Sequence, residues 1–241
     1  MNLQEYTNYI KKAFSDCGTG DLITDEKAEK FYNFSNMLIE TNKVMNLTAI
    51  TDEKDVVLKH FVDSATICRY IPARAKVIDI GCGAGFPSLP LAILREDVCV
   101  TALDSTTKRI DFVKRVANVL SLKNINAVAA RAEEYVSDTR ETYDICTSRA
   151  VARLNILSEL CIPYIKVGGS FIAMKATKAD EEYDEAKNAI GRLGCKLDRS
   201  ESFEFESESE VLSRTMYIFT KTKNTSTEFP RKYSVISKRP L

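Results

Sequence analysis

The chain has a single histidine, His60, among 241 residues. One imidazole cannot build a histidine-based metal centre or a histidine relay. A packed side chain, or one contacting a helix N-cap, is the expected role for it. The seven cysteines (Cys17, Cys68, Cys82, Cys99, Cys146, Cys161, Cys195) are odd in number, scattered and never in a C-x-x-C pair. That argues against a disulfide framework and a zinc site, and for a reducing cytoplasm. No apolar run reaches transmembrane length, and Met1-Asn2-Leu3-Gln4-Glu5-Tyr6 lacks the charged-then-apolar order of a signal peptide. No membrane association is expected. There is no internal repeat, no G-x-S-x-G elbow and no pair of carboxylates at hydrolase spacing. Charge of one sign is also missing: 34 Lys and Arg balance 34 Asp and Glu. Net charge therefore says nothing about nucleic acid, and the distribution of charge must decide.

What is present is an apolar share of 44%, enough for a full core in one domain with or without a terminal extension. From Leu3 to about Ile71 the periodicity is helical, with Thr24 as the N-cap of a helix over Glu26–Glu40 and Thr51 or Asp52 capping another. From Lys76 the rhythm becomes alternating strands and helices. Strands are expected at Val77–Ile80, Val98–Leu103, Ile125–Ala130, Tyr143–Thr147 and Ser170–Lys175, the last entered through a turn at Gly168-Gly169. Helices are expected at Pro87–Leu94, Thr106–Leu120, Glu133–Val136, Ala150–Ile165 and Ala179–Leu193. Phe203–Phe205 and Thr215–Thr220 read as two further strands. Their short separation forbids a helical crossover and predicts an antiparallel pair. Lys221–Leu241 is basic and reads as an arm lying on the body or partly disordered.

The chemistry centres on Val77-Ile78-Asp79-Ile80-Gly81-Cys82-Gly83-Ala84-Gly85-Phe86-Pro87. A strand, a tight turn and a helix start follow one another. Such a junction exposes backbone N–H groups and lets a ligand approach without meeting a Cβ. A plain strand-to-helix turn is the alternative. At Cys82 a small residue filling the turn is favoured over a reactive thiol. The glycines read G-x-G-x-G with Phe86 at the sixth position, a departure from the dinucleotide fingerprint G-x-G-x-x-G. Asp104 ends the second strand, where an acid can accept from both ribose hydroxyls of an adenosine or cap the helix after it. Arg131-Ala132-Glu133, Ser148-Arg149-Ala150 and Lys175 follow the third, fourth and fifth strands, at the sheet edge that binds ligands in open α/β folds.

These residues, in this order, resemble the small-subunit ribosomal RNA guanine-N7 methyltransferases, the glucose-inhibited division protein B (GidB) family. The markers are Asn46-Leu47-Thr48-Ala49-Ile50, His60-Phe61-Val62-Asp63-Ser64, the loop from Asp79 through Ile93, Leu103-Asp104-Ser105, Lys108-Arg109, Arg131-Ala132-Glu133 and Ser148-Arg149-Ala150-Val151-Ala152. The tail departs from the family habit: its basic charge is kept but its turn residues are not.

The resemblance implies an α/β, class I methyltransferase-type doubly wound sheet of seven strands. The sheet is mostly parallel, in the order 3-2-1-4-5-7-6, with strand seven antiparallel. Residues 1–72 would form a helical N-terminal extension, 73–223 the S-adenosylmethionine-binding core and 224–241 a basic tail. It implies S-adenosyl-L-methionine as cofactor, contacted by Gly81, Gly83, Phe86, Ala132, Glu133 and Arg149, with Asp104 fitting the ribose by class. It implies 16S rRNA or the small ribosomal subunit as partner, no metal, and a monomer. Guanine N7 carries a free in-plane lone pair, so no general base is required, and no residue is singled out as catalytic. Phosphate contacts are expected from Lys108, Arg109, Lys114, Arg115, Lys175, Arg231, Lys232, Lys238 and Arg239. The competing readings are a nicotinamide-dependent oxidoreductase, also built on a glycine loop, and a non-catalytic rRNA-binding or assembly protein.

Overall fold

Lys76–Ile80 (β1) carries alternate apolar residues that are buried on both faces, as a central strand requires. In the computed structural model, which describes residues 1–149, 152–175, 179–206 and 211–241, β1 pairs in parallel with Cys99–Asp104 (β2) and Tyr143–Arg149 (β4). Ile125–Ala129 (β3) lies outside β2, and Ile165–Lys175 (β5) outside β4. Cys195–Glu206 (β6) and Val211–Lys221 (β7) complete a sheet in the order β3-β2-β1-β4-β5-β7-β6. Only β7 runs against the rest. The expected topology is the observed one.

Helices cover both faces. Leu3–Asp16 (α1), Asp25–Met45 (α2), Glu53–Val56 (α3) and Asp63–Ala65 (α4) precede the sheet. A π-helical stretch, Val57–Val62, joins α3 to α4. Ser88–Leu94 (α5) and Thr107–Val119 (α6) follow β1 and β2; Ala132–Thr139 (α7), Leu154–Cys161 (α8) and Ala179–Arg192 (α9) follow β3, β4 and β5. Tyr233–Ile236 (α10) closes the chain. One apolar cluster joins Tyr6, Phe14, Phe31, Phe34 and Phe61 of the N-terminal helices to Val77, Leu89 and Val113. A second joins Ile78, Leu154, Leu157, Ala186, Phe171 and Phe219. The N-terminal helices therefore form one continuous core with the sheet face bearing α5 and α6.

Local chemistry sets the boundaries. Thr24 caps α2 through Lys27 N–H (3.3 Å), and Asp52 caps α3 through Lys54 and Asp55 N–H (2.9 and 3.0 Å). Several expected elements differ in extent. Helix α2 runs to Met45, beyond the expected stop at Thr41-Asn42-Lys43, and ends where Asn46 turns left-handed (φ 48°). The helix expected over Ala150–Ile165 is confined to Leu154–Cys161 and a 3-10 turn at Ile162–Tyr164. Pro163 lacks the N–H that would continue it, and Ala150 and Val151 lie outside the described residues. Gly168-Gly169 is no turn into β5 but an irregularity within it: the register against β4 shifts there, and a Cβ on Gly169 would sit 2.5 Å from Asp144 O. Strands β6 and β7 extend well past Phe203–Phe205 and Thr215–Thr220. Edge strand β6 carries exposed charges on its open face, which hid its length. Part of the segment that joins them, residues 207–210, lies outside the described residues.

The C-terminal arm lies on the body. Phe229 and Ile236 are buried, Thr225 Oγ1 donates to Leu193 O (2.6 Å), and Arg231 holds the fully buried Glu159 through Nε (2.9 Å), Nη2 (2.6 Å) and its own N–H (2.8 Å).

Candidate functional site

The carboxyl ends of β1, β2, β3 and β4 open onto a cleft of about 490 Å³, within the usual range for small-ligand sites. Strand order reverses between β1 and β4, so connections leave β1 and β4 toward opposite faces and part there. Gly81, Gly83, Phe86, Asp104, Arg109, Ala132, Glu133 and Arg149 all line this cleft. The structure thus brings together, from four strand ends, the seven residues assigned by sequence to a cofactor, plus one of those assigned to RNA.

The loop after β1 is shaped by glycine. Gly81, Gly83 and Gly85 have φ of 73°, 57° and 93°. A Cβ on Gly85 would lie 2.4 Å from Leu89 Cδ1, so that glycine is required by packing. A Cβ on Gly83 would meet nothing within 4 Å, and the loop backbone is therefore open to the cleft at that point. Gly81 and Cys82 N–H both donate to Leu103 O (2.7 and 3.0 Å), tying the loop to the end of β2. Asp104, 6% exposed, accepts Gly83 N–H on Oδ2 (3.0 Å) and Thr106 N–H on Oδ1 (2.8 Å). It therefore both orders the loop and holds the start of α6, and each oxygen keeps a further lone pair. Its ion pair with Arg109 spans 3.6 Å. Ala132 O accepts Tyr164 Oη (2.6 Å), which fixes the turn carrying Glu133. Burial, with Asp79 and Asp104 nearby, pushes the Cys82 thiol well above its ordinary pKa; it fills the turn as expected and is unsuited to thiolate chemistry.

Phe86 packs its ring against Phe34 (5.3 Å) and His60 (4.4 Å, 18° between planes), with the Arg149 guanidinium 5.0 Å above it. Arg149 is clamped: Nη1 donates to Lys59 O and Asp63 Oδ2 (both 2.9 Å), and Nη2 meets His60 Nδ1 (2.9 Å). Asp63, 2% exposed, also faces Arg214 Nε (3.4 Å). A guanidinium only donates, so Nδ1 of His60 accepts and its proton sits on Nε2, which reaches Thr48 Oγ1 (2.9 Å). Burial, then the charge of Arg149, lowers the His60 pKa to about 3, so the ring is neutral.

His60, Thr48, Leu47 and Tyr233 line the cleft and were not assigned to it from sequence. His60 is packed, as expected. Its link to Arg149, 89 residues away, is a tertiary fact that spacing could not reveal. Asp79 was also passed over. Wholly buried below the loop, it accepts Ser88 N–H (3.1 Å), and burial lifts its pKa to about 8. Its place two residues before Gly81 was the available signal.

Two expected RNA contacts are otherwise engaged. Lys175 is 7% exposed, its ammonium pairs with Glu182 (2.7 Å) and donates to Ala152 O (2.6 Å), and it does not line the cleft. Arg231 anchors the arm on Glu159. Lys108, Arg109, Lys114, Lys232, Lys238 and Arg239 are exposed. Arg115 is exposed but donates to Thr41 Oγ1 (2.5 Å). Among the described residues, no group of three or more His, Cys, Asp or Glu side chains is arranged to hold a metal ion, and no helix is long and apolar enough to cross a membrane.

A seven-stranded sheet in this order, with a glycine loop after β1 and an acid ending β2, is the fold of S-adenosylmethionine-dependent methyltransferases. Among solved structures, M. jannaschii TYW2 in complex with AdoMet superposes with a TM-score of 0.54 at 15% identity, over 66% of this chain and 74% of that one. The profile of GidB, rRNA small subunit methyltransferase G, matches residues 27–211. The ribosomal RNA small subunit methyltransferase G of Clostridium perfringens (strain SM101 / Type A) is 45% identical over 98% of this chain and 99% of its own. That of Staphylococcus carnosus (strain TM300) is 44% identical over 91% and 92%. The chain belongs to the GidB family.

Proposed function

We propose that the protein transfers the methyl group of S-adenosyl-L-methionine to N7 of a guanine in 16S rRNA. The observation that carries this reading is the convergence of Gly81, Gly83, Asp104, Ala132, Glu133 and Arg149, from four strand ends, on one cleft. The cofactor fits what is there: an open glycine backbone, and an acid with lone pairs to spare. Asp104 accepts from the ribose hydroxyls. Ala132 and Glu133 would hold the adenine, and Arg149 would hold the methionine end with the N–H groups left over from Asp63, Lys59 and His60. Phe86, 5% exposed, acts by supporting His60 and Arg149.

When bound, S-adenosylmethionine supplies an electrophilic methyl group on a positively charged sulfur. Guanine N7 attacks with a lone pair that no proton blocks, so the chain need only align the reacting atoms and exclude water. No general base is required. The major groove of A-form RNA is too deep and narrow for N7 to be reached, so the target guanine stands in a loop or is turned outward. Arg109 at the cleft, Lys108 beside it on α6, and Lys232, Lys238 and Arg239 on the arm provide phosphate contacts. Residues 1–72, 73–223 and 224–241 act together as one cytoplasmic monomer on the small ribosomal subunit or its RNA.

Calorimetric titration with S-adenosylmethionine and with NAD(P) tests the cofactor. Binding of the first alone is expected, and tight binding of NAD(P) alone overturns the reading in favour of an oxidoreductase.

A further inference from the structure

The hydroxyl of Thr48 lies against the cleft with its hydrogen bonding half decided. Oγ1 accepts Ile50 N–H (3.0 Å). It also faces His60 Nε2 (2.9 Å), and that nitrogen carries the ring proton because Arg149 Nη2 donates to Nδ1. A threonine hydroxyl has two lone pairs and one proton. Both lone pairs are taken, so the O–H can act only as a donor. Among the described residues no protein acceptor receives it. The backbone of Thr48 is pinned as well: its N–H donates to Asn42 Oδ1 (2.9 Å), and its carbonyl accepts Asn42 Nδ2 (2.8 Å). The result is a fixed donor on the cleft wall, locked in that role through His60 by a guanidinium that cannot accept.

We propose that Thr48 selects guanine by donating to its O6, an inference that rests on the reading of the protein as a guanine-N7 methyltransferase. The placement follows from the topology. Asp104, Ala132 and Glu133 mark the adenosine end of the cleft, on the β2–β3 side. Arg149, His60 and Thr48 form a connected group on the β4 side, where the methionine end and the reactive methyl would lie. On the edge of guanine that presents N7, the neighbouring group is O6, an acceptor; on adenine it is the N6 amino group, a donor. A base offering N7 to the methyl group therefore offers either an acceptor or a donor to Thr48. A hydroxyl free to rotate and to accept would tolerate both. A hydroxyl whose lone pairs are occupied accepts guanine and meets adenine donor to donor. His60 is here a positioning residue: it acts through Thr48, and Arg149 acts through His60.

The test compares methyl transfer to 16S rRNA carrying guanine or 2-aminopurine at the methylated position. 2-Aminopurine keeps N7 and the 2-amino group and lacks O6. Naked rRNA and reconstituted small-subunit particles are both used, with wild type, Thr48→Ser and Thr48→Val. Comparing the ratio between bases across variants cancels the different intrinsic reactivity of the two N7 atoms. The guanine to 2-aminopurine ratio of kcat/KM is expected to be the same in wild type and Thr48→Ser and about 10- to 100-fold lower in Thr48→Val. S-adenosylmethionine affinity, measured by calorimetry, stays within about threefold throughout, which separates loss of base reading from loss of fold. An unchanged ratio in Thr48→Val overturns the role of Thr48 while leaving the methyltransferase reading intact. If Thr48→Val does not fold, Thr48→Ala, which also lacks the hydroxyl, supplies the same comparison. No transfer by wild type to either base in either substrate overturns both.

Discussion

His60, stacked on Phe86, and Asp79, which accepts Ser88 N–H, are both buried, and burial moves each toward its uncharged form: His60 falls from 6.5 to about 3 and Asp79 rises from 3.8 to about 8. Their effects on stability have opposite signs. Between the two His60 values the unfolded chain binds a proton that the native state refuses, so stability falls as the medium is acidified from pH 6.5 toward 3. Between the two Asp79 values the native state holds a proton that the unfolded chain releases, so stability falls as pH rises from 3.8 toward 8. Each slope is about 1.4 kcal/mol per pH unit. From about pH 4 to 6.5 the two cancel, and from 6.5 to about 8 Asp79 alone lowers stability by roughly 2 kcal/mol. The variants separate them. Relative to wild type, His60→Gln gains stability on acidification, reaching roughly 3 kcal/mol near pH 4. Asp79→Asn keeps the acceptor for Ser88 N–H and gains on alkalinisation, by roughly 5 kcal/mol near pH 8. Urea unfolding followed by circular dichroism in half-unit pH steps reads both differences, and every other titrating group drops out of them. The chain has no second histidine to blur the acid limb. A His60→Gln difference that stays flat from pH 6.5 to 4 refutes the neutral, Arg149-facing histidine, and with it the assignment of the proton to Nε2.

Three further outcomes are expected. Gly85→Ala forces a Cβ to 2.4 Å from Leu89 Cδ1 at φ 93° and should cost about 2–4 kcal/mol in thermal unfolding; Gly83→Ala, with open space around it, should cost about 1–2 kcal/mol while weakening cofactor binding in calorimetry. Arg231→Met strands the buried Glu159 and should destabilise the protein by about 3–5 kcal/mol in urea, with the arm becoming sensitive to protease; adding Glu159→Leu should recover most of the loss. Neutralising Lys232, Lys238 and Arg239 to Gln should flatten the salt dependence of rRNA binding by roughly 0.7–0.9 in log–log slope per phosphate contact removed, with cofactor affinity unaltered. An unchanged slope removes the arm from the RNA interface.

The architecture was legible where local rules suffice. Alternating strands and helices after Lys76, a gap too short for a crossover between the last two strands, and caps at Thr24 and Asp52 all lie within a few residues of one another in the chain. Boundaries failed where tertiary context overrode local signals. Gly168-Gly169 looked like a turn because glycines usually mark one, yet close approach of the Asp144 carbonyl places them within β5. Strand β6 was largely hidden because an edge strand can leave its charges in water. Within the site, residues at strand ends were found because sheet topology alone brings Gly81, Asp104, Glu133 and Arg149 to one edge. Thr48, His60 and Tyr233 reach the cleft from outside the alternating pattern, through a connector, a π-helical stretch and a terminal arm, and no periodicity encodes that meeting. Lys175 stands apart for the converse reason: a strand end does not always line a cleft, and a salt bridge to Glu182 engages its ammonium.

The most direct test of the central claim is the methyl group itself. Small-subunit RNA is prepared from cells with and without this protein, digested, and examined by mass spectrometry for one added methyl and its position. The prediction is a single 7-methylguanosine that is present with the protein, absent without it, and restored when purified protein and labelled S-adenosylmethionine are added to the unmodified RNA or particle. Identical methylation in the two RNAs, with no label transferred in vitro, would contradict it.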